Sequence, residues 1–491
     1  MAAGWQRLAL ALRTLRFLLT TLKSLNRSLA KIITAPAAAP ARAASGARQL
    51  ALNVLLQVQA GAYADVALHR TLTQAALSDS DRAFATELVY GTVRRQRTLD
   101  ALIGQLGTRP ADKQPPVLRL VLHLGLYQLR YLTAVPDSAA VNTSVDLAKA
   151  NGLGRLSGVV NGLLRQYLRE SEGDIDPLLL PDDPAISLGI RHSYPDWLVA
   201  LWLQQLGLEE TEQLCQWFNQ VPSIDLRVNR DRTTVEALQS AFEAAGIAVD
   251  SIPDVPFGLR LVNHQGALTD LPGYEAGWWS VQDASAQLVG LLLDPQPRET
   301  VLDVCAAPGG KATQMAEIVG GSGRVVACDR APSRLKKITA NASRLGLTNL
   351  QTHAGDSTDL ALFHDQFDRV LVDAPCSGLG TLHRHADARW RQNPESTASL
   401  AELQTALLAE AAHCVKLGGT LVYATCTLHP AENEAVIEQF CQSNPAWRIQ
   451  PPDPGFGNGL EVAPEGWVRV WPHRQNMDGF FMVKLGQQGF P

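Results

Sequence analysis

The sequence predicts a multidomain chain in which an all-α bundle leads into a small α+β unit and then into a doubly wound α/β domain. Three observations carry this reading. From Ala47 to Glu170 apolar residues recur at spacings of three and four, as in RQLALNVLLQV and VLRLVLHLGLYQLRYL, with few strand signals. From Ile224 to Leu271 a strand pattern (IDLRVN), a helix pattern (TVEALQSAFEAAG) and further strand signals follow one another. From Thr300 onward short β-branched runs alternate with helical segments, the pattern of parallel strands joined by crossover helices.

Taken in order, residues 1–46 form a basic leader. Leu8, Leu12, Leu15, Leu19 and Leu22 make a helical stripe, interrupted by Arg13, Arg16 and Lys23, and an Ala/Pro-rich tract follows. The segment is too charged to span a membrane. Its features are shared by organelle transit peptides, by surface helices and by misassigned translation starts, and it is left outside the fold. Residues 47–170 are the bundle; packing accounts for the apolar stripes, and only VRRQR hints at binding. Residues 171–275 hold an acidic, proline-rich linker, short helices as far as Asn219 that include RHSYPDWLV, and the α+β unit. Trp278 and Trp279 are read as core before base platforms. Residues 276–486 are the α/β domain, with strands expected at Thr300 to Cys305, Arg324 to Asp329, Leu350 to Ala354 and Arg369 to Val372. A helix from Ser399 to Val415, a strand from Thr420 to Ala424, a helix from Ala431 to Gln442 and a closing edge strand from Asp478 to Leu485 complete it.

Composition excludes several classes. Seven scattered cysteines (Cys215, Cys305, Cys328, Cys376, Cys414, Cys426, Cys441) contain no CxxC pair and no accompanying His spacing, which argues against structural zinc and for a reducing compartment. Net charge is −5; the first 47 residues hold seven Lys and Arg and no acid, leaving −12 on the rest. That balance excludes a generally basic nucleic-acid coat. Affinity for a nucleic acid would rest on local clusters: Arg94, Arg95 and Arg97; Arg384, Arg389 and Arg391; Arg469 and Arg474. Each cluster taken alone reads as a solvated helix face.

The chemistry gathers at the strand ends. TVLDVCAAPGGK (Thr300 to Lys311) is an apolar run that passes into a glycine-containing turn before a helix from Ala312 to Val319. Ligands of open α/β sheets bind at such carboxyl ends, where glycines let backbone N–H groups approach an anionic group. The loop is neither GxxxxGK[ST] nor GxGxxG, so a nucleoside triphosphate or a dinucleotide fits poorly. The second run closes on Asp329, where a carboxylate can accept both hydroxyls of a ribose, which points to an adenosine. The third is followed by Gly355-Asp356 and the fourth by Asp373-Ala374-Pro375-Cys376. Any one of these acids alone is more often a turn or cap residue; four successive strand ends carrying such groups are not explained by structure alone.

CAAPGGK, DAPCSGLG with the following HRHADARW, and YATCTLHPAENE resemble the S-adenosylmethionine-dependent RNA cytosine-C5 methyltransferases. Within that family the likeness is to the bacterial 16S rRNA methyltransferase B type, which carries an N-terminal domain similar to the antitermination factor NusB; the resemblance runs from about Ala47 to Leu485. It implies a NusB-like bundle, an RRM-like α+β unit without the aromatic RNP pattern, and a Rossmann-like methyltransferase domain. It also implies S-adenosylmethionine as cofactor, small-subunit rRNA as partner, no metal, a monomer and a cytoplasmic setting, with a plastid or other organelle as the alternative if the leader is a transit peptide.

Carbon 5 of cytosine is a poor nucleophile until a group adds at carbon 6, and a thiolate is suited to that addition. Cys376 and Cys426 each follow an apolar strand and are both candidates. By family likeness the threonine-cysteine motif (Thr425-Cys426) supplies the nucleophile, while Cys376 of the proline-cysteine motif helps in proton removal and product release. Asp373 would hydrogen-bond the base and share the cofactor site. Cys305, Ala306, Ala307, Pro308, Gly309, Gly310 and Lys311 would hold the methionine moiety, Asp329 the ribose and Asp356 the adenine amino group. The chain departs from the family at LHRHADARW: His383 and Ala386 replace an arginine and a proline, which bears on RNA contacts of that loop. Two other readings remain open, a tRNA cytosine-C5 methyltransferase and a non-catalytic RNA-binding assembly factor.

Overall fold

The computed structural model describes residues 41–487 except 174, 265 and 458. The leader, as far as residue 40, lies outside them. Six helices, Ala41–Gln59, Ala64–Gln74, Asp79–Leu106, Pro116–Tyr131, Asp137–Ala150 and Ser157–Glu170, form the N-terminal bundle. Their Leu, Val and Ala stripes bury one shared core that includes Leu52, Leu88, Leu99, Leu122 and Leu164. Gly91 is required by closeness: a Cβ there would sit 2.0 Å from the Tyr127 ring. The acidic linker is tied down by Arg130, whose two Nη atoms each donate to Asp176 at 2.7 Å. The connecting helices are Pro184–His192, capped by Asp183, and Asp196–Trp217, broken at Gly207 where φ is 75°.

The α+β unit is an antiparallel sheet of β1 (Ile224–Val228), β2 (Val249–Ser251), β3 (Gly258–Leu261) and β4 (Trp279–Val281), in the order β2-β3-β1-β4, with the helix Val235–Ala244. Trp279 is fully buried with Leu226, Phe242 and Leu259, so it is core as expected.

The larger sheet holds β5 (Thr300–Asp303), β6 (Arg324–Asp329), β7 (Leu350–Ala354), β8 (Phe367–Asp373), β9 (Val415–Thr425), β10 (Trp447–Gln450), β11 (Glu461–Val462), β12 (Val468–Val470) and β13 (Phe480–Gln487). The order is β11-β12-β13-β9-β8-β5-β6-β7, with β10 also beside β13; β5 to β9 are parallel and β13 is antiparallel. Alternate residues fill a core on each face. Leu302, Val370 and Tyr423 meet the helices Pro394–His413 and Glu434–Ser443, whereas Val301, Leu371 and Val422 meet Ala284–Leu293 and Gly310–Val319.

Three expectations are corrected. The final strand is not an edge: β13 pairs with β9 on one side and with β12 and β10 on the other. Phe480, Phe481, Met482 and Val483 are all buried, and a continuous apolar run needs both faces covered. The helix expected from Ser399 begins at Pro394, because Asn393 and Ser396 cap each other's backbone, and β9 starts at Val415 rather than Thr420. The helix expected from Ala431 begins at Glu434, since the side chain of Asn433 is held outside it by Thr425 and Thr427.

Most of the arginines singled out for nucleic-acid binding are internal ties. Arg384 joins Asp478 and Asp283 and donates to Ser223 O at 2.7 Å; Arg391 meets Asp387 at 3.0 Å; Arg469 meets Glu434, and Arg474 meets Glu210 and Glu461. Arg94 donates to His383 O and Arg97 pairs with Asp196. Ala386 packs into the bundle core. His383 is buried against Trp217, and burial pushes its imidazole down to about 3, so this loop faces inward. Arg389 is fully buried with neutral acceptors: the carbonyls of Arg94, Ser193 and Leu382 and the Asn219 amide, at 3.1–3.3 Å, with the Tyr194 ring 4.1 Å away. Burial draws its pKa down to about 10. Arg389→Ala would strand those acceptors, and a loss of about 2–4 kcal/mol is expected from urea unfolding. Arg389→Lys should recover little of it, because a single ammonium cannot reach acceptors spread around a planar fork.

Candidate active site

The carboxyl ends of β5, β6, β7, β8 and β9 lie along one margin of the sheet, and the loop after β5 is anchored among them. Val304 N donates to Leu371 O at 3.0 Å and Ala306 N to Cys328 O at 2.8 Å, anchoring the loop to the neighbouring strands. One of the N–H groups expected to meet a ligand is therefore already used. Cys305 turns its side chain toward the sheet core, where burial pushes the thiol up. Ala307–Pro308 is cis, and Gly309 has φ of 109° with Ile338 3.0 Å from where a Cβ would stand. Helix Gly310–Val319 starts there, its first N–H groups directed back toward the loop. Its first turn is held from the α+β unit: buried Arg227 donates to Gly310 O at 2.7 Å and pairs with Glu317 at 2.7 Å.

Asp329 is nearly buried; one oxygen accepts from Ala331 N at 2.8 Å and the other lies 3.2 Å from Arg334, which also donates to Ala307 O. Asp356 is exposed, and one oxygen accepts from Thr358 N and Oγ1 at 3.0 and 2.8 Å; those bonds hold its carboxyl below the usual range. Both acids thus occupy local turns as well as strand ends. The Lys311 ammonium crosses to Asp373 at 2.7 Å and lies 4.9 Å from the Phe480 ring. Burial works against its charge, but Asp373, then Cys426 and Asp303, keep its pKa above the ordinary value. A cavity of about 450 Å³ lined by Arg227, Phe257 and Glu317 lies behind this helix and includes neither thiol.

The two candidate thiols come together: Cys376 Sγ and Cys426 Sγ are 3.4 Å apart, and both side chains are half-buried. Strand pairing sets this spacing, since β8 and β9 are adjacent and Ala374 N donates to Ala424 O at 2.9 Å just before the loops diverge. The Cys426 segment is further fixed by Gly380 N, which donates to Cys426 O at 2.9 Å. Gly380 admits no side chain, because a Cβ would sit 2.0 Å from Gly479 O. The hydrogen bond with Cys426, then burial, then the charge of Glu432 push the Cys376 thiol well up.

Sequence reasoning missed three groups here. Glu432, fully buried, accepts from Ser377 N at 2.8 Å and from Ser377 Oγ, Gln404 Nε2 and Thr427 Oγ1. Asn433 accepts from Thr425 Oγ1 at 2.6 Å and donates to Thr427 O at 3.0 Å. Both stand in the PAENE run that follows the threonine-cysteine motif, which was the available signal. The third is Asp303, whose buried Oδ2 has no partner among the described residues. Within those residues no group of three or more His, Cys, Asp or Glu is arranged to hold a metal, and no helix is long and apolar enough to cross a membrane.

A parallel sheet with these loaded strand ends, extended past β9 by the antiparallel strands β10 to β13, is the Rossmann-like domain of a methyltransferase. Residues 290–486 match the family described as 16S rRNA methyltransferase RsmB/F, residues 45–169 the NusB family, and residues 194–267 the ferredoxin-like domain of RsmF/B-like methyltransferases. A probable ribosomal RNA small subunit methyltransferase B of Synechocystis sp. is 52% identical over 444 residues, covering 89% of this chain and 99% of that relative. Another, from Bacillus subtilis, is 36% identical over 450 residues, covering 90% and 99%. The crystal structure of PH0851 shares the fold, with a TM-score of 0.75 at 24% identity over 92% of this chain and 99% of its own. The chain belongs to the 16S rRNA methyltransferase RsmB/F family.

Burial, then the charge of Asp373, push the Asp303 carboxyl up to about 8, against the pull of Lys311. A carboxyl whose folded value lies above the unfolded value of about 3.9 contributes its full stability below that pH and loses it as the pH rises through the folded value. Asp303→Asn should therefore flatten the fall in stability between about pH 4 and about pH 8, read from urea midpoints across that range. An unchanged slope would show that Asp303 is not the group titrating.

Proposed function

We propose that this protein transfers a methyl group from S-adenosylmethionine to carbon 5 of a cytidine in small-subunit rRNA, through a covalent adduct of Cys426 at carbon 6. The observation that carries the reading is the thiol pair 3.4 Å apart at adjacent strand ends, beside the loop after β5. The names of the relatives support small-subunit rRNA as the substrate. The strand ends suit the cofactor: Gly309 lets the loop take a left-handed turn against Ile338, a helix N-terminus faces the loop, and Asp329 offers a carboxylate at the next strand.

In this mechanism the Cys426 thiolate adds to carbon 6 of an extruded cytosine, because a thiol has no path to that atom inside a paired helix. Addition loads carbon 5 with electron density. Bound S-adenosylmethionine supplies the electrophilic methyl group that carbon 5 takes. Cys376 then assists the closing step: the carbon 5 proton passes to a solvent base, and the Cys426 sulfur leaves as the double bond reforms, taking up the proton that the Cys376 thiol offers across 3.4 Å. Asp373 hydrogen-bonds the base while Lys311 holds that carboxylate in place.

The charges around the thiols favour this division of labour. Glu432 interacts with Cys376, which favours the protonated thiol there and leaves Cys426 as the attacking sulfur. Cys426→Ala should abolish methyl transfer and leave cofactor affinity near normal. Cys376→Ala should accumulate a protein–RNA adduct that survives denaturing electrophoresis. Bisulfite sequencing of small-subunit rRNA reads the first, and the opposite pattern would reassign the nucleophile. Modification found on tRNA instead would replace the substrate.

A further inference from the structure

Each thiol is followed by a hydroxyl residue, Ser377 after Cys376 and Thr427 after Cys426, and these two hydroxyls are 2.8 Å apart. Beneath them is one carboxylate. Glu432 Oε2 accepts from Ser377 N at 2.8 Å and Gln404 Nε2 at 3.0 Å, while Oε1 accepts from Ser377 Oγ and from Thr427 Oγ1 at 3.4 Å. The Glu432 carbonyl accepts from Tyr423 OH at 2.6 Å, tying the same residue to β9. Gln404 also donates to Pro375 O at 3.0 Å, so the helix Pro394–His413 braces the residue preceding Cys376. Every donor around this carboxylate belongs either to a residue next to a thiol or to the helix supporting one.

We propose that Glu432 is a positioning residue that clamps the Cys376 and Cys426 loops into a single register, fixing the distance between the two sulfurs. This rests on the reading of those cysteines as the reacting pair. The donors from Ser377, Gln404 and Thr427 favour the charged form of this carboxylate against the upward push of its burial, and that negative charge favours the proton on the neighbouring Cys376. Glu432 therefore does two things with one group: its bonds set geometry, and its charge makes the two sulfurs unequal. A glutamine has the same shape but no charge, and its NH₂ would face donors where an acceptor is needed.

The test uses the full chain without RNA or methyl donor, comparing wild type with Glu432→Gln and Ser377→Ala. Iodoacetamide labelling of each cysteine is followed against pH by peptide mass spectrometry. In Glu432→Gln the midpoint for Cys376 should fall by about one pH unit or more, while that of remote Cys441 stays put. Ser377→Ala leaves the carboxylate in place; its Cys376 midpoint should stay near that of wild type, and it serves if the glutamine variant does not fold. In methyl-transfer assays on small-subunit rRNA, both variants should lose about tenfold or more in kcat with unchanged donor affinity. An unmoved Cys376 midpoint in folded Glu432→Gln, or full kcat in Ser377→Ala, would overturn the proposal. Labelling requires no catalysis, so a failed nucleophile assignment, seen as activity surviving Cys426→Ala, remains distinguishable.

Discussion

Two loops that end adjacent parallel strands approach each other until their sulfurs are 3.4 Å apart, over a carboxylate removed from water. Neither loop is a regular element, and thiols exert little attraction of their own. The approach is sustained by strand pairing up to Ala374 and Ala424 and by the hydrogen bonds that Glu432 and Asn433 collect beyond it. Burying a carboxylate is costly unless its lone pairs are met, and here the residues that meet them are the neighbours of the thiols. The energetic need of one buried group thus becomes the geometric restraint on two reactive ones.

The same economy joins the domains. After Cys376 the chain runs through Thr381 to Arg391, and that segment enters the N-terminal bundle. Ala386 fills its core, the Trp390 indole donates to Val93 O at 2.8 Å, and Asp387 accepts from Ala64 N at 3.2 Å. Arg384, at the start of the segment, reaches Asp478 before β13, Asp283 before the helix Ala284–Leu293, and Ser223 before β1. A loop carrying a candidate thiol is therefore gripped by every folded part of the chain. The bundle is continuous with the site's support rather than appended to it.

This arrangement also changes the meaning of the charge pattern. An acidic chain with few arginine clusters suggested that those clusters form the nucleic-acid surface. Arg384, Arg469 and Arg474 are instead paired with carboxylates, and Arg389 is spent on carbonyls and a ring. Guanidinium groups suit such duty because their planar fork satisfies several acceptors at once while the stem packs among apolar groups. Spacing along the chain cannot separate this use from phosphate binding, since both call for the same side chain.

By itself the sequence determined the local and periodic features: the helical stripes of the bundle, the order of strands and helices after Thr300, and the thiols and acids that stand at strand ends. These are properties of neighbouring residues, and period and turn chemistry report them directly. Tertiary structure alone decided that β13 is interior, that Lys311 pairs with Asp373, that Glu432 lies under both thiols, and that Arg389 is buried. Each of these joins residues distant in the chain or depends on what covers a face. A side chain's charge and shape are written in its identity, but its partner is chosen by packing, where an unmet polar group costs more than any local preference can supply.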